Sequence, residues 1–280
     1  MDELYGVIGD PIVHSMSPVM HNAAFKKAAI DASYGKFHVT TDALPQAING
    51  IRALGLRGIN VTVPHKTAVI SLLDEVDPLA QSIGAVNTIV NREGKLIGFN
   101  TDGLGFVEGL KKEISGGLSN KSVLIIGAGG ASKAIYHTLA ALGVKKIDLA
   151  NRSEEKAAAM IGTCPAGVES HYHGLDEAER VLHLYDIVIQ TTSIGMYPLV
   201  GESPVSIERV KAGAVFSDII YNPLKTTFLK QAEEKGAIIQ NGIDMFVHQG
   251  ALAFNKWTGV TPDTDLMKKV VLKQLGGTQC

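Results

Sequence analysis

Asn60, Thr62 and Lys66 stand close together in the stretch GINVTVPHK. Ile59, Val61 and Val63 alternate with Asn60 and Thr62, the period of a half-buried strand with one apolar and one polar face. Pro64 has no N–H for a sheet ladder and stops the strand, and Lys66 follows directly after His65. The pattern gathers an amide, a hydroxyl and an ammonium at one end of a sheet. Such a set suits a polar ligand, and a surface strand would also produce it by chance.

A second set is the loop VLIIGAGGASKA. Gly127 permits a tight turn after a strand, Gly129 lets a pyrophosphate approach the backbone, and the amides opening the next helix face its oxygens. Ser132, after Gly130 and Ala131, holds the third position of the spacing, where glycine or alanine is usual. That departure weakens the bare motif, and its place at the head of a βαβ unit restores it. The following strand, KKIDLANRS, reports on the cofactor. NAD calls for an acid at the strand's carboxyl end to hold the ribose 2′-hydroxyl. Asp148 lies too early for that, and the terminal positions are Asn151, Arg152 and Ser153, with Lys156 one helical turn on. A guanidinium suits a 2′-phosphate by charge and forked geometry. NADP is therefore expected, and solvated charges at a helix start are the plainer account of Arg152 and Lys156.

A third set is HSMSPVM. Ser17 reads as a helix N-cap with Pro18 at the first helical position. A helix start with the Ser15 and Ser17 hydroxyls nearby can hold an anion without an arginine, and capping alone would also explain Ser17.

These sets need elements to position them. The first hundred residues alternate strand and helix patterns: LYGVIG, PVMHNAAFKKAAI, YGKFHV, LPQAINGIRAL, GINVTV and TAVISLL, then two short strands, NTIVNRE and KLIGFN. After a helix near Gly103–Ile114 a fresh βαβ series begins at Ser122: SVLIIG, ASKAIYHTLAALG, KKIDLAN, DIVIQTT, AVFSDIIY and AIIQN. The fold class expected is α/β, two α/β domains with a cleft between them. Residues 1–102 plus 242–280 form the first, discontinuous domain, and residues 103–241 a Rossmann-type one.

Composition narrows the function. The 280 residues are 45% hydrophobic and 19% charged with a formal net charge of −2, so there is no broad basic field for nucleic acid or anionic lipid. The apolar runs are far short of a bilayer span, and MDELYGVIGD lacks the basic and apolar regions of a signal peptide, so a cytoplasmic protein is expected. Cys164 and Cys280 form no disulfide framework or metal-like cluster. His14, His21 and His65 lack metal spacing with a third ligand and read as structural or solvent-facing; no metal is expected.

Taken in order, GDPIVHSMSP, NVTVPHK, GAVNTIV, GFNTDGLGF, GAGGAS, NRS and GIDMFVHQG resemble the motifs of shikimate dehydrogenases over essentially the whole chain. The resemblance implies an N-terminal substrate domain, a central NADP domain and a C-terminal helical segment that returns to the first. It also implies reversible reduction of 3-dehydroshikimate to shikimate with NADPH, in aromatic amino-acid biosynthesis. Lys66 matches the family's catalytic lysine and Asp102, in NTDG, its partner. A lysine ordinarily holds its proton to about pH 10.4, which suits proton donation in the reducing direction. By the same match Ser15, Ser17 and Tyr221 take the substrate carboxylate. Asn60, Thr62, Lys66, Asn87, Asp102 and Gln249 take the ring hydroxyls. Gly127, Ala128, Gly129, Gly130, Ala131, Asn151, Arg152, Ser153, Lys156, Thr192, Gly242 and Met245 hold NADP.

Some positions depart from the family pattern. Ser153 and Lys156 stand where threonine and arginine are common, which implies a less steep preference for NADP. Asp244, Phe246 and Gly250 stand where glycine, leucine and alanine are frequent, and leave the packing there open. The rival readings are a relative that also oxidises quinate or uses NAD, a non-catalytic module, and another two-domain NADP reductase such as a methylenetetrahydrofolate dehydrogenase. Lys66 with Asp102 argues against the second, and HSMSP with NTDG against the third. Monomer and homodimer both remain open.

Overall fold

A computed structural model describes residues 3–165 and 167–276; Cys280 lies outside them. The chain divides into two units, one running up to Thr101 and resuming at Val247, the other spanning Asp102–Phe246. Among the described residues the two units hold one six-stranded sheet each.

In the first unit β1 (Glu3–Gly9), α1 (Ser17–Lys27), β2 (Ala32–His38), α2 (Leu44–Ala53) and β3 (Gly58–Val61) alternate as expected. β4 (Glu75–Val76), α3 (Pro78–Ile83), β5 (Thr88–Arg92) and β6 (Lys95–Phe99) follow. The strand order is β2-β1-β3-β5-β6-β4, with β5 antiparallel to both neighbours and the other pairs parallel. The carboxyl ends of β1, β3 and β6 therefore meet the start of β5 along one edge of the sheet.

β3 corrects the half-buried reading. It lies between β1 and β5 and all four of its residues are buried, so Asn60 faces the interior while Val63, on the expected apolar face, is 66% exposed. The strand ends two residues early because the Thr62 carbonyl accepts the His65 N–H at 2.9 Å and closes a turn.

Two other expectations give way. Ser17 is the first residue of α1, not its cap: Met16 holds the cap position, and the Ser17 N–H donates to the Ser15 hydroxyl at 3.3 Å. TAVISLL forms only a 3₁₀ turn, Ala68–Leu72, because Leu73 turns extended and the Asp74 N–H joins the Leu96 carbonyl at 3.0 Å. The short helix α3 carries full sequence punctuation: the Asp77 carboxylate accepts the Leu79 N–H at 3.0 Å, and Gly84 ends it at φ +68°.

The second unit opens with α4 (Asp102–Leu110), then β7 (Ser122–Ile126), α5 (Gly130–Ala141), β8 (Lys146–Ala150), α6 (Glu154–Ile161) and β9 (Tyr172–His173). It continues with α7 (Leu175–Val181), β10 (Ile187–Gln190), β11 (Val215–Asp218), α8 (Thr227–Glu234) and β12 (Ile238–Gln240). All strands are parallel in the order β12-β11-β10-β7-β8-β9. Counted from β7, this is the 3-2-1-4-5-6 order of a doubly wound sheet, whose switch point lies between β7 and β10. Both faces are covered, which is why β7 and β10 read as near-continuous apolar runs.

α9 (Gly242–Thr258) runs through the second crossing, which falls at Phe246/Val247 rather than at 241/242. Its first turn packs in the second unit, with Met245 on the apolar core and the Phe246 ring 5.1 Å from Tyr221. Further on, Gly250 faces Met20 and His21 of α1, where a Cβ would stand 2.2 Å from the Met20 methyl group. α10 (Thr264–Gln274), capped by Asp263, packs on α1. Among the described residues no helix is long and apolar enough to cross a membrane.

His21 sits in the core of the first unit, its ring 4.5 Å from Tyr34 and 5.2 Å from Trp257, and neither ring nitrogen has a hydrogen-bond partner. Complete burial pulls its pKa down from 6.5 to about 3. The folded state keeps His21 neutral while the unfolded chain binds a proton, so stability is full above pH 6.5 and falls as the pH drops toward 3. At pH 5 the loss is about 2 kcal/mol. His21→Phe, which keeps the ring stack, should flatten the acid arm of a melting-temperature profile. Identical profiles for the two proteins would contradict this assignment.

Candidate active site

The first set of site residues grows from a constraint on β3. Asn60 is 6% exposed, so its amide must be satisfied by protein. The Tyr34 hydroxyl donates to Asn60 Oδ1 at 2.7 Å, and Asn60 Nδ2 donates to the Asn87 carbonyl and the Thr88 hydroxyl, both at 3.1 Å. Asn87 Oδ1 in turn accepts the Thr88 hydroxyl at 2.9 Å and the Thr101 N–H at 2.8 Å. Register places these groups together, since Asn60 pairs with Thr88 and Thr88 with Phe99. Tyr34 also hydrogen-bonds the Ser17 hydroxyl, and burial pushes its own pKa well up, so it stays a neutral donor.

Lys66 follows the Thr62–His65 turn. That turn is pinned from inside: the buried His65 ring donates through Nε2 to the Val39 carbonyl at 2.7 Å, and the Lys66 carbonyl accepts the Val86 N–H at 2.8 Å. Thr62 and Lys66 are half-buried at the same sheet edge as Asn60 and Asn87. Ser15 and Ser17 follow β1 there, and Gln249 lies half-buried on the part of α9 that belongs to this unit. Of the three histidines, His14 is exposed while His21 and His65 are core residues. Asp102, buried, opens α4 directly after Thr101 and belongs to the second unit, as does Tyr221. Burial raises the Tyr221 pKa.

In the second unit the glycine loop lies at the switch point. Gly127 adopts φ +115°, and a Cβ there would stand 2.5 Å from the Thr191 hydroxyl, so the turn admits only glycine. Gly129 and Gly130 open α5 with nothing within 4 Å of where their side chains would be. The unexpected Ser132 is fully buried and donates to the Gly127 carbonyl at 2.7 Å, closing the loop from within. It does by a hydrogen bond what a small third residue does by packing.

A cavity of about 290 Å³ adjoins this loop, lined by Ala128, Gly129, Gly130, Lys133, Lys156 and the α6 residues Ala159 and Met160. Two ammonium groups and a helix start suit an anionic ligand, so the residues fit a phosphorylated dinucleotide. Lys133, one turn into α5 from Gly130, lines this cavity and is absent from the residues that the sequence reading assigned to the cofactor. Arg152 is exposed beyond β8, and Asn151 supports that turn by donating to the Ser153 carbonyl at 2.8 Å. Asp148 is buried in β8, accepting the Tyr185 hydroxyl at 2.7 Å and the His171 N–H at 2.8 Å. Thr192 follows β10, its N–H donated to the Gln190 side-chain oxygen. Gly242 and Met245 lie in the first turn of α9.

Family models match along the chain: shikimate dehydrogenase substrate binding domain at residues 7–89, shikimate / quinate 5-dehydrogenase at 109–220, and shikimate 5′-dehydrogenase C-terminal domain at 242–272. A shikimate dehydrogenase (NADP(+)) of Bacillus cereus strain AH187 is 55% identical over 277 residues, 99% of this chain and 100% of that protein. A crystal structure of a shikimate dehydrogenase in complex with NADP+ is 42% identical with a TM-score of 0.91, covering 99% of this chain and 96% of that one. The shikimate 5-dehydrogenase of Thermus thermophilus, in complex with NADP(H) and shikimate, is 34% identical with a TM-score of 0.87, covering 97% and 99%.

Tyr34→Phe should leave Asn60 Oδ1 without its buried donor. The expected cost is about 1–3 kcal/mol, read as a lower urea midpoint at unchanged slope. An unchanged midpoint would mean that the hydroxyl does not hold Asn60.

Proposed function

The chain belongs to the shikimate dehydrogenase family, and from that premise we propose that it reversibly reduces 3-dehydroshikimate to shikimate with NADPH, a step of chorismate and aromatic amino-acid biosynthesis. One observation carries the reading: Asn60, Thr62, Lys66 and Asn87 gather at the carboxyl edge of one sheet, in a chain alike over 99% of its length to enzymes of that name. The first unit is the substrate domain and Asp102–Phe246 the nucleotide domain.

NADPH, when bound, supplies the hydride. The chain's residues do the rest. Lys66 Nζ gives a proton to the substrate oxygen as hydride transfer turns the carbonyl into an alkoxide, leaving a hydroxyl and a neutral amine that regains its proton from water. Asp102 takes the role of the family's catalytic partner to that lysine. Ser15, Ser17 and Tyr221 hold the carboxylate. Thr62, Asn87 and Gln249 bind ring hydroxyls with them, and Asn60, its N–H groups already committed, accepts through Oδ1. Such bonds discriminate strongly, because a substrate lacking a hydroxyl leaves a buried partner unpaired.

The loop Gly127, Ala128, Gly129, Gly130 and Ala131 takes the pyrophosphate. Arg152, Ser153 and Lys156 take the 2′-phosphate beside Asn151, and Thr192, Gly242 and Met245 complete the cofactor site. A reductase of biosynthesis fed by NADPH belongs in the cytoplasm, as a monomer or a homodimer.

Initial rates with shikimate and quinate, each with NADP+ and NAD+, test the whole reading. Shikimate with NADP+ should give the highest kcat/KM; a preference for quinate with NAD+ would assign the chain to the other branch of the family. Lys66→Ala should lower kcat by about 10²–10⁴-fold with shikimate binding largely kept. Near-normal kcat would remove Lys66 from the proton transfer. Arg152→Ala should raise KM for NADPH far more than for NADH, and equal losses would mean that Arg152 does not read the 2′-phosphate.

A further inference from the structure

Two buried polar side chains face one another at the ends of β10 and β11. Gln190 and Asp218 are register partners, and both are fully buried. The Asp218 carboxylate accepts the Thr226 hydroxyl at 2.6 Å, the Ile220 N–H at 2.9 Å and the Gln190 side-chain N–H at 3.4 Å. From β10, from the turn after β11 and from the start of α8, the groups that face it are thus an amide, a peptide N–H and a hydroxyl. None of them carries charge or titrates. Burial without a cation pushes the pKa of Asp218 up to about 6.

A buried carboxylate with no cation is costly to fold, so stability does not explain its presence. Its bonds lead to ligand-facing backbone instead. Gln190 accepts the Thr192 N–H through Oε1 and donates to the Ile194 carbonyl at 3.0 Å, so its orientation sets the loop after β10. The Ile220 N–H held by Asp218 lies in the turn that runs on to Tyr221. The Ile220 carbonyl accepts the Gly242 N–H at 3.0 Å, where the Ile219 carbonyl leaves no room for a side chain.

We propose that Asp218 is a positioning residue for both ligands: its carboxylate locks the loop carrying Thr192, the turn carrying Tyr221 and the start of α9 at Gly242 into one arrangement. This rests on the roles proposed above for Thr192, Gly242 and Tyr221. An ionised carboxylate accepts from all three donors. A protonated one turns its O–H onto the Thr226 oxygen, reversing that bond, and loses the charge that strengthens the bonds from the Ile220 N–H and the Gln190 amide, so ligand binding weakens as the pH falls through the titration of Asp218.

The test is Asp218→Asn, with NADP+ and shikimate titrated calorimetrically between about pH 5 and about pH 8, alongside melting temperatures. Asparagine keeps the size, has one acceptor oxygen and removes the buried charge. Near neutral pH the variant should bind NADP+ about tenfold more weakly, the equivalent of one charge-assisted hydrogen bond, and shikimate more weakly too, with a melting temperature at or above that of the native chain. Below about pH 6 the native chain should lose NADP+ affinity more steeply than the variant, whose profile keeps only the limb that the ligand's own 2′-phosphate contributes. Unchanged affinities, a shared pH profile, or a lowered melting temperature with native affinity would each overturn the proposal. Should Asp218→Asn not fold, Thr226→Val must weaken NADP+ binding while Thr226→Ser restores it. A native chain that binds neither ligand would sink the functional reading; native binding beside an indifferent Asp218→Asn would sink this proposal alone.

Discussion

The buried amide of Asn60 is the constraint on which the first unit depends. A polar side chain inside a central strand must be paired, and its partners come from two other strands, Tyr34 on β2 and Asn87 and Thr88 at the start of β5, while the Asn87 side chain in turn takes the Thr101 N–H beyond β6. Satisfying one amide thereby fixes where β5 begins and where β6 ends. It also sets the edge along which Thr62, Lys66 and Asn87 lie. Turn formation at Thr62–His65, anchored by the buried His65 ring, then carries Lys66 away from the sheet rather than along it.

The second unit solves a different problem with the same rule. Its strands β10 and β11 begin with buried apolar side chains and carry buried polar ones at their carboxyl ends, Gln190 and Asp218, where a doubly wound sheet meets its ligands. Polar groups buried at strand ends orient loops; the apolar strands below supply the stability. Ser132 follows this division, committing its hydroxyl to the Gly127 carbonyl while the Gly127 N–H is held by the Ala150 carbonyl at 2.8 Å.

Much of this was legible in the chain. Periodicity marked β3 and the βαβ series, the glycine loop marked the switch point, and Asp148 read as lying inside its strand, where it is buried. What stayed hidden was long-range. Tyr34 lies 26 residues from Asn60, and no local pattern announces that its hydroxyl will meet that amide. An alternating strand reads as half-buried unless the covering of its second face is known, which is why Asn60 and Val63 exchanged their expected surroundings. Ser17 was misread as a cap because Ser, Met and Ser offer two hydroxyls two residues apart, and the backbone chose Ser15. Lys133 escaped because it stands behind the glycines in sequence and joins Lys156 only when α5 and α6 lie side by side.

The central claim is that this chain moves a hydride between shikimate and NADP. The most direct measurement follows the hydrogen itself: turnover of NADP+ with shikimate deuterated at the carbon whose hydroxyl is oxidised, and mass spectrometry of the reduced cofactor. The account predicts deuterium on the nicotinamide ring of NADPH, with unlabelled 3-dehydroshikimate as the other product. Reduced cofactor without deuterium, or no reduced cofactor at all, would contradict it.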